Sequence, residues 1–165
     1  MSEHPVTIIT GGSSGIGFAT AQRLVAEQHR VLLVGRSKER LEGARDRLLA
    51  NSPNAEIELH TCDMGDAVQA SNVVGVAVDR FDRLDHLFNN AGVAPLAPIQ
   101  DHTDGMIRET LYVNVLGPAL AIADAWRQWQ SQRDAGDTGR YTVINTSSVA
   151  SIDPYPGFFA YGASK

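Results

Sequence analysis

Two kinds of apolar spacing alternate along the chain, and that alternation limits its fold more than any single residue does. Val6 to Thr10 is a short apolar run closed by Gly11-Gly12, after which Ile16, Ala19, Ala21 and Leu24 recur at helical spacing. A second strand-like run, Val31 to Val34, leads through Gly35-Arg36 to Ser37, which is placed to cap a helix carrying Leu41, Ala44, Leu48 and Leu49. Asn51-Ser52-Pro53-Asn54 breaks that helix. Ile57 to Cys62 then reads as a third strand, Asp66 as the cap of a helix bearing Val74, Ala77, Val78 and Phe81, and Leu84 to Phe88 as a fourth strand. Strands that alternate with helices at this pace need right-handed crossovers, so the expected class is α/β with a parallel sheet.

The remainder extends the pattern. Asp104 to Trp129 is helical by period, with Gly117-Pro118 marking a kink or a boundary between two helices. Gln130 to Arg140 is polar and reads as a surface connection, and Tyr141 to Thr146 as a fifth strand. The expected architecture is a Rossmann-type doubly wound sheet of order 3-2-1-4-5. With 165 residues, 43% of them hydrophobic, one domain over 1–165 is expected.

Composition narrows the partners. A net charge of -5 leaves no basic face for nucleic acid. The single cysteine, Cys62, excludes an internal disulfide framework, and five scattered histidines form no metal-ligand spacing. The opening residues carry no basic-then-apolar leader and no long apolar run follows, so neither a membrane nor export is expected, and the location is read as cytoplasmic.

The chemistry-bearing residues sit where the strands end. Thr10-Gly11-Gly12-Ser13-Ser14-Gly15-Ile16-Gly17 joins a strand to a helix. There, glycines allow a tight turn and close approach of an anion to unpaired helix N–H groups, although such a loop alone is often only a turn. Asp63-Met64 follows the third strand and Asn89-Asn90-Ala91-Gly92 the fourth. Tyr161 and Lys165 are four apart, one face of a helix with a rise of about 6 Å between them, and a cation beside a phenol favours its ionised form. Ser148 precedes Tyr161 by thirteen residues and lies just past the fifth strand, at the sheet edge where open α/β sheets take ligands.

Together these motifs resemble the short-chain dehydrogenase/reductase family over essentially the whole chain. The resemblance implies an oxidoreductase that moves a hydride between a nicotinamide dinucleotide and a small-molecule carbonyl or secondary alcohol. It implies that Ser148 hydrogen-bonds the substrate oxygen, that Tyr161 passes the proton, and that Lys165 tunes Tyr161 and holds the ribose. Asn114 would hold a water leading to Lys165, or only pin its helix. Cofactor contacts fall on Thr10, Gly11, Ser13, Ser14, Gly15, Ile16, Gly17, Asp63, Met64, Asn90, Ala91 and Gly92, with Asp63 toward the adenine unless it is simply a turn residue.

NAD-specific relatives place a carboxylate at the end of the second strand, where this chain has Gly35 followed by Arg36. A guanidinium there suits a 2'-phosphate, so NADP(H) is favoured over NAD(H), unless Arg36 and Arg40 only begin a solvated helix. Members of the family continue past the Tyr-x-x-x-Lys pair into further strands and helices that supply most of the substrate pocket, none of which lies within these 165 residues. The rival readings are a catalytically silent dinucleotide-binding or partner-binding domain, and an inactive fragment. A fifth strand at the edge would also invite self-association.

Overall fold

The computed structural model describes residues 4–165. Five strands form one parallel sheet: β1 (Val6–Thr10), β2 (Arg30–Gly35), β3 (Ile57–Thr61), β4 (His86–Asn89) and β5 (Thr142–Asn145). Their order is β3-β2-β1-β4-β5, the Rossmann order expected from the sequence. Helices α1 (Gly15–Ala26), α2 (Lys38–Asn51), α3 (Ala67–Phe81), α4 (Asp104–Leu111), α5 (Gly117–Asp134) and α6 (Phe159–Ser164) connect or follow them.

The central strands read as unbroken apolar runs because both of their faces are covered. Ile8 pairs in register with Leu32 and Leu87, and this row joins Val73, Ala77, Ala121 and Trp129 of α3 and α5 in one core. Ile9, Leu33 and Phe88 face the other way onto Ala21 and Val25 of α1 and Leu41 and Leu48 of α2. The two expected caps form: Ser37 accepts from the Arg40 N–H, and Asp66 from those of Val68 and Gln69. Hydrogen bonds from Gln69 hold the Asp66 carboxyl below its ordinary value.

Two expectations need correction. The fourth strand starts at His86, because the peptide groups of Leu84 turn sideways to bond the side chains of Gln132 and Trp129. For the same reason α5 runs to Asp134: the polar Gln132 is buried, its amide satisfied by Leu84, so the surface connection begins later than composition suggests. The long helical segment divides at Gly117-Pro118 as expected, and one wider π-turn over Tyr112–Leu116 stands just ahead of that boundary. Gly117 is required there, since a Cβ would overlap the carbonyl oxygen of Met64 where α5 crosses the exit of β3.

Candidate functional site

All five strands are parallel, so the turns after them open along one edge. A cleft of about 350 Å³ gathers four of those turns, with Gly11, Ser13 and Ser14 after β1, Arg36 after β2, Asp63 and Met64 after β3, and Ala91 and Gly92 after β4. Every one of these was a candidate from sequence. Ser37, Arg40, Val93 and Val113 also line it, and no short-range pattern marks Val93 or Val113 as lining residues.

The first turn has the backbone that its glycines permit. Gly11 and Gly15 have φ of 66° and 54°, in the left-handed region, and Gly15 leaves open space over the start of α1. A Cβ on Gly17 would overlap the Gly11 carbonyl oxygen. Exposed N–H groups, a positive helix end and room above it form a cradle suited to a pyrophosphate.

Thr10 and Asn90 stand behind this cradle and hold its shape. The Thr10 hydroxyl accepts from the N–H groups of Asn90 and Ala91 at 2.9 and 3.0 Å. The Asn90 amide donates to the carbonyls of Thr10 and Gly11 at 3.1 and 3.4 Å. The Asn90 side-chain oxygen accepts from the Thr146 hydroxyl at 3.3 Å, so the carboxamide is spent as a brace. Neither residue lines the cleft, and Ile16 lies exposed outside it.

Asp63 lines the cleft while also shaping its own turn, accepting from the Gly65 N–H at 2.9 Å. Burial, aided by the carboxylates of Asp63 and Asp66, pushes the Cys62 thiol up to about 11, which leaves this lining residue chemically quiet. Arg36 reaches across to Glu109 of α4 at 3.8 Å. Arg40 donates to the Ser14 hydroxyl at 3.2 Å.

The second cluster adjoins the first through Gly92. A Cβ there would lie 3.3 Å from Asn114 Oδ1 and 3.5 Å from Lys165 Nζ, so the bare glycine brings cleft and lysine together. Lys165 donates to the Thr146 carbonyl at 2.9 Å, and its ammonium lies 5.8 Å from the centre of the Tyr161 ring. Ser148 caps the short turn Val149–Ser151, accepting from the Ala150 N–H at 3.2 Å. The neighbouring Ser147 hydroxyl instead donates to the Lys165 carbonyl at 3.3 Å.

Asn114 sits in the π-turn and is nearly buried. Its side-chain oxygen accepts from the Val93 N–H at 2.9 Å, and its amide donates to the Val93 carbonyl at 2.9 Å and to the Ser164 hydroxyl at 2.8 Å. The side chain thus pins the rim of the cleft to α6. Ser164, unmarked by the sequence motifs, completes the tether by donating to the Tyr161 carbonyl at 2.7 Å.

A model of the short chain dehydrogenase family matches residues 5–165. The chain is 34% identical over 161 residues to levodione reductase of Leifsonia aquatica, covering 97% of this chain and 58% of that protein. Among solved structures it superposes on NAD+-bound xylitol dehydrogenase with a TM-score of 0.87 at 30% identity, covering 100% of this chain and 61% of the other. A metagenomic short-chain oxidoreductase in complex with NADP gives a TM-score of 0.88 at 29% identity, covering 100% and 72%. The chain therefore spans 58% of the length of one curated relative and 62% of another. Family match, sheet order and edge cleft agree, and the chain belongs to the short chain dehydrogenase family.

Proposed function

We propose that this chain binds NADP(H) in the edge cleft and serves an oxidoreductase acting on a carbonyl or secondary alcohol. The observation that carries the reading is the junction at Gly92, where the edge cleft meets Lys165 and the helix of Tyr161. The bound dinucleotide would supply or accept the hydride. Ser13, Ser14 and the start of α1 would receive its pyrophosphate, Asp63 and Val113 would flank its adenine end, and Arg36 and Arg40 would face the ribose beyond Gly35. Ser148 would orient the substrate oxygen, Tyr161 would give or take the proton at that oxygen, and Lys165 would keep a positive charge beside the phenol.

The preference for NADP(H) rests on charge. No carboxylate stands at Gly35 to bond ribose hydroxyls, while two guanidinium groups line that end of the cleft. Titration of the chain with NADPH and NADH, followed by NADPH consumption with a generic ketone, tests both halves of the reading. Tighter NADH binding would overturn the cofactor assignment, and binding without turnover would leave a dinucleotide-binding domain.

A further inference from the structure

We propose that His29 and His86 form a two-imidazole site for a divalent transition-metal ion, at the end of the sheet where the strands begin and away from the edge cleft where they finish. Neither residue neighbours the other in sequence, and the fold brings them together. Past the end of α1 the chain turns at Gln28, with φ of 64°, and His29 leads into β2, while His86 opens β4. The two ring centres lie 5.5 Å apart, with the planes tilted by 34°. A tetrahedral ion about 2.0–2.1 Å from one nitrogen of each ring would hold the ring centres about 5 Å apart, so the observed spacing already suits it.

The nitrogens that such an ion needs are available. Thr7, the register partner of His86, shares a 3.0 Å hydrogen bond between its hydroxyl and His29 Nδ1. That bond fixes one side of the ring and leaves Nε2 to ligate, as outer partners do for metal-bound imidazoles. Among the described residues no hydrogen bond or ion pair takes up either nitrogen of His86, and neither these nor His29 Nε2 are sealed from solvent. Both rings open on a groove of about 340 Å³ lined by Thr7, Thr142, Leu24, Phe88 and Ile144. Waters have room there to complete the coordination shell, and the apolar walls strengthen the attraction between charges. The sign of the local field suits a cation: the carboxylates of Glu27 and Asp85 act on His29, and that of Asp85 acts on His86. Asp85 is engaged by Val6 and Arg83, so it contributes charge rather than an oxygen ligand. No group of three metal-binding side chains stands together among the described residues, which marks an exchangeable ion rather than a closed structural site. The ion would clip the exit of α1 to the start of β4.

The test is calorimetric titration of the tag-free 165-residue chain with Zn2+ at about pH 7.5, where an ordinary imidazole is neutral and free to ligate. Wild type is compared with His29→Gln and His86→Gln, and with His4→Gln and His60→Gln as controls. Cys62 is buried, with its thiol pushed up to about 11, so no exposed thiolate competes. Wild type is expected to take one Zn2+ per chain, His29→Gln and His86→Gln each to weaken it at least about tenfold, and the controls to leave it unchanged. X-ray absorption of the zinc-loaded wild type, which does not depend on any variant folding, should show nitrogen and oxygen ligands with the scattering of two imidazoles. A wild type that binds no Zn2+, binding that survives both His29→Gln and His86→Gln or is lost only in a control, or a sulfur ligand overturns the inference.

Discussion

Lys165 gives its ammonium to the main-chain carbonyl of Thr146 at 2.9 Å, which fastens the helix carrying Tyr161 to the strand exit that leads to Ser148. The three residues on which sequence places the chemistry are thus held by one lysine bond in addition to whatever the lysine does for the phenol. Positioning of this kind contributes to rate by keeping reacting groups oriented.

Tyr161→Phe should lower NADPH-dependent reduction at least about 10²-fold with NADPH affinity unchanged, because it removes an exchangeable proton and little apolar area. Ser148→Ala should impair turnover more than Ser147→Ala, since the Ser147 hydroxyl serves the end of α6. Steady-state kinetics on the three variants checks both, and the reverse order for the serines would move the substrate contact to Ser147.

Gly117→Ala should destabilise the fold by about 1–3 kcal/mol, the usual range for forced overpacking, because its Cβ meets the Met64 carbonyl. Gly43→Ala, on the exposed side of α2 with nothing near its Cβ, should leave stability unchanged or raise it. Chemical denaturation distinguishes the pair, and equal midpoints would refute the close crossing of α5 over the β3 exit.

Asp85→Ala should cost about 3–5 kcal/mol. The carboxylate is buried and accepts from the Val6 N–H at 2.8 Å and from Arg83 at 2.6 and 2.9 Å, and Arg83 continues to Asp137 at 2.6 Å. Removing the acid leaves a partly buried guanidinium and an unpaired strand N–H. A urea-midpoint shift smaller than that of an exposed Asp46→Ala control would contradict this account.

Stability should fall as pH drops through the ordinary imidazole value near 6.5. Burial holds His29 below that value against the opposing charges of Glu27 and Asp85. Burial and then the charge of His29 hold His86 below it, opposed by Asp85, the two rings lying 5.5 Å apart. The unfolded chain therefore takes up protons that the fold refuses. No loss arises above the unfolded value, and the loss ends once pH is below the folded values. Urea midpoints from about pH 7.5 to about pH 5.5 should decline in the wild type and decline less in a His29→Gln, His86→Gln double variant, with His60, also lowered by burial, supplying a remainder.

Much of the fold was legible because its signals are local. The apolar runs of β1 and β2, the caps Ser37 and Asp66, and the glycines at 11, 15 and 17 each declare themselves within a few residues. The cleft was legible for the same reason, since every strand exit carries its own motif. What sequence missed is made by contacts across long separations. Gln132 reads as solvated until Leu84 is placed beside it, and Arg40 reads as a helix surface residue until Ser14 arrives from another turn. The contacts of Asn114 were not legible either, because its partners Val93 and Ser164 lie 21 and 50 residues away.

The three hydrogen bonds of Asn114 also make two orderings into one. Val93 on the cleft rim and Ser164 on α6 share a single carboxamide, so fixing either end removes freedom from the other. A dinucleotide that stills the rim would thereby have met part of the entropic cost of ordering α6, and binding would be thermodynamically linked to the placement of Tyr161 without any change of shape. The Val93 N–H, bonded to Asn114 at 2.9 Å, is the natural reporter of that linkage, and its hydrogen exchange should slow when the dinucleotide binds.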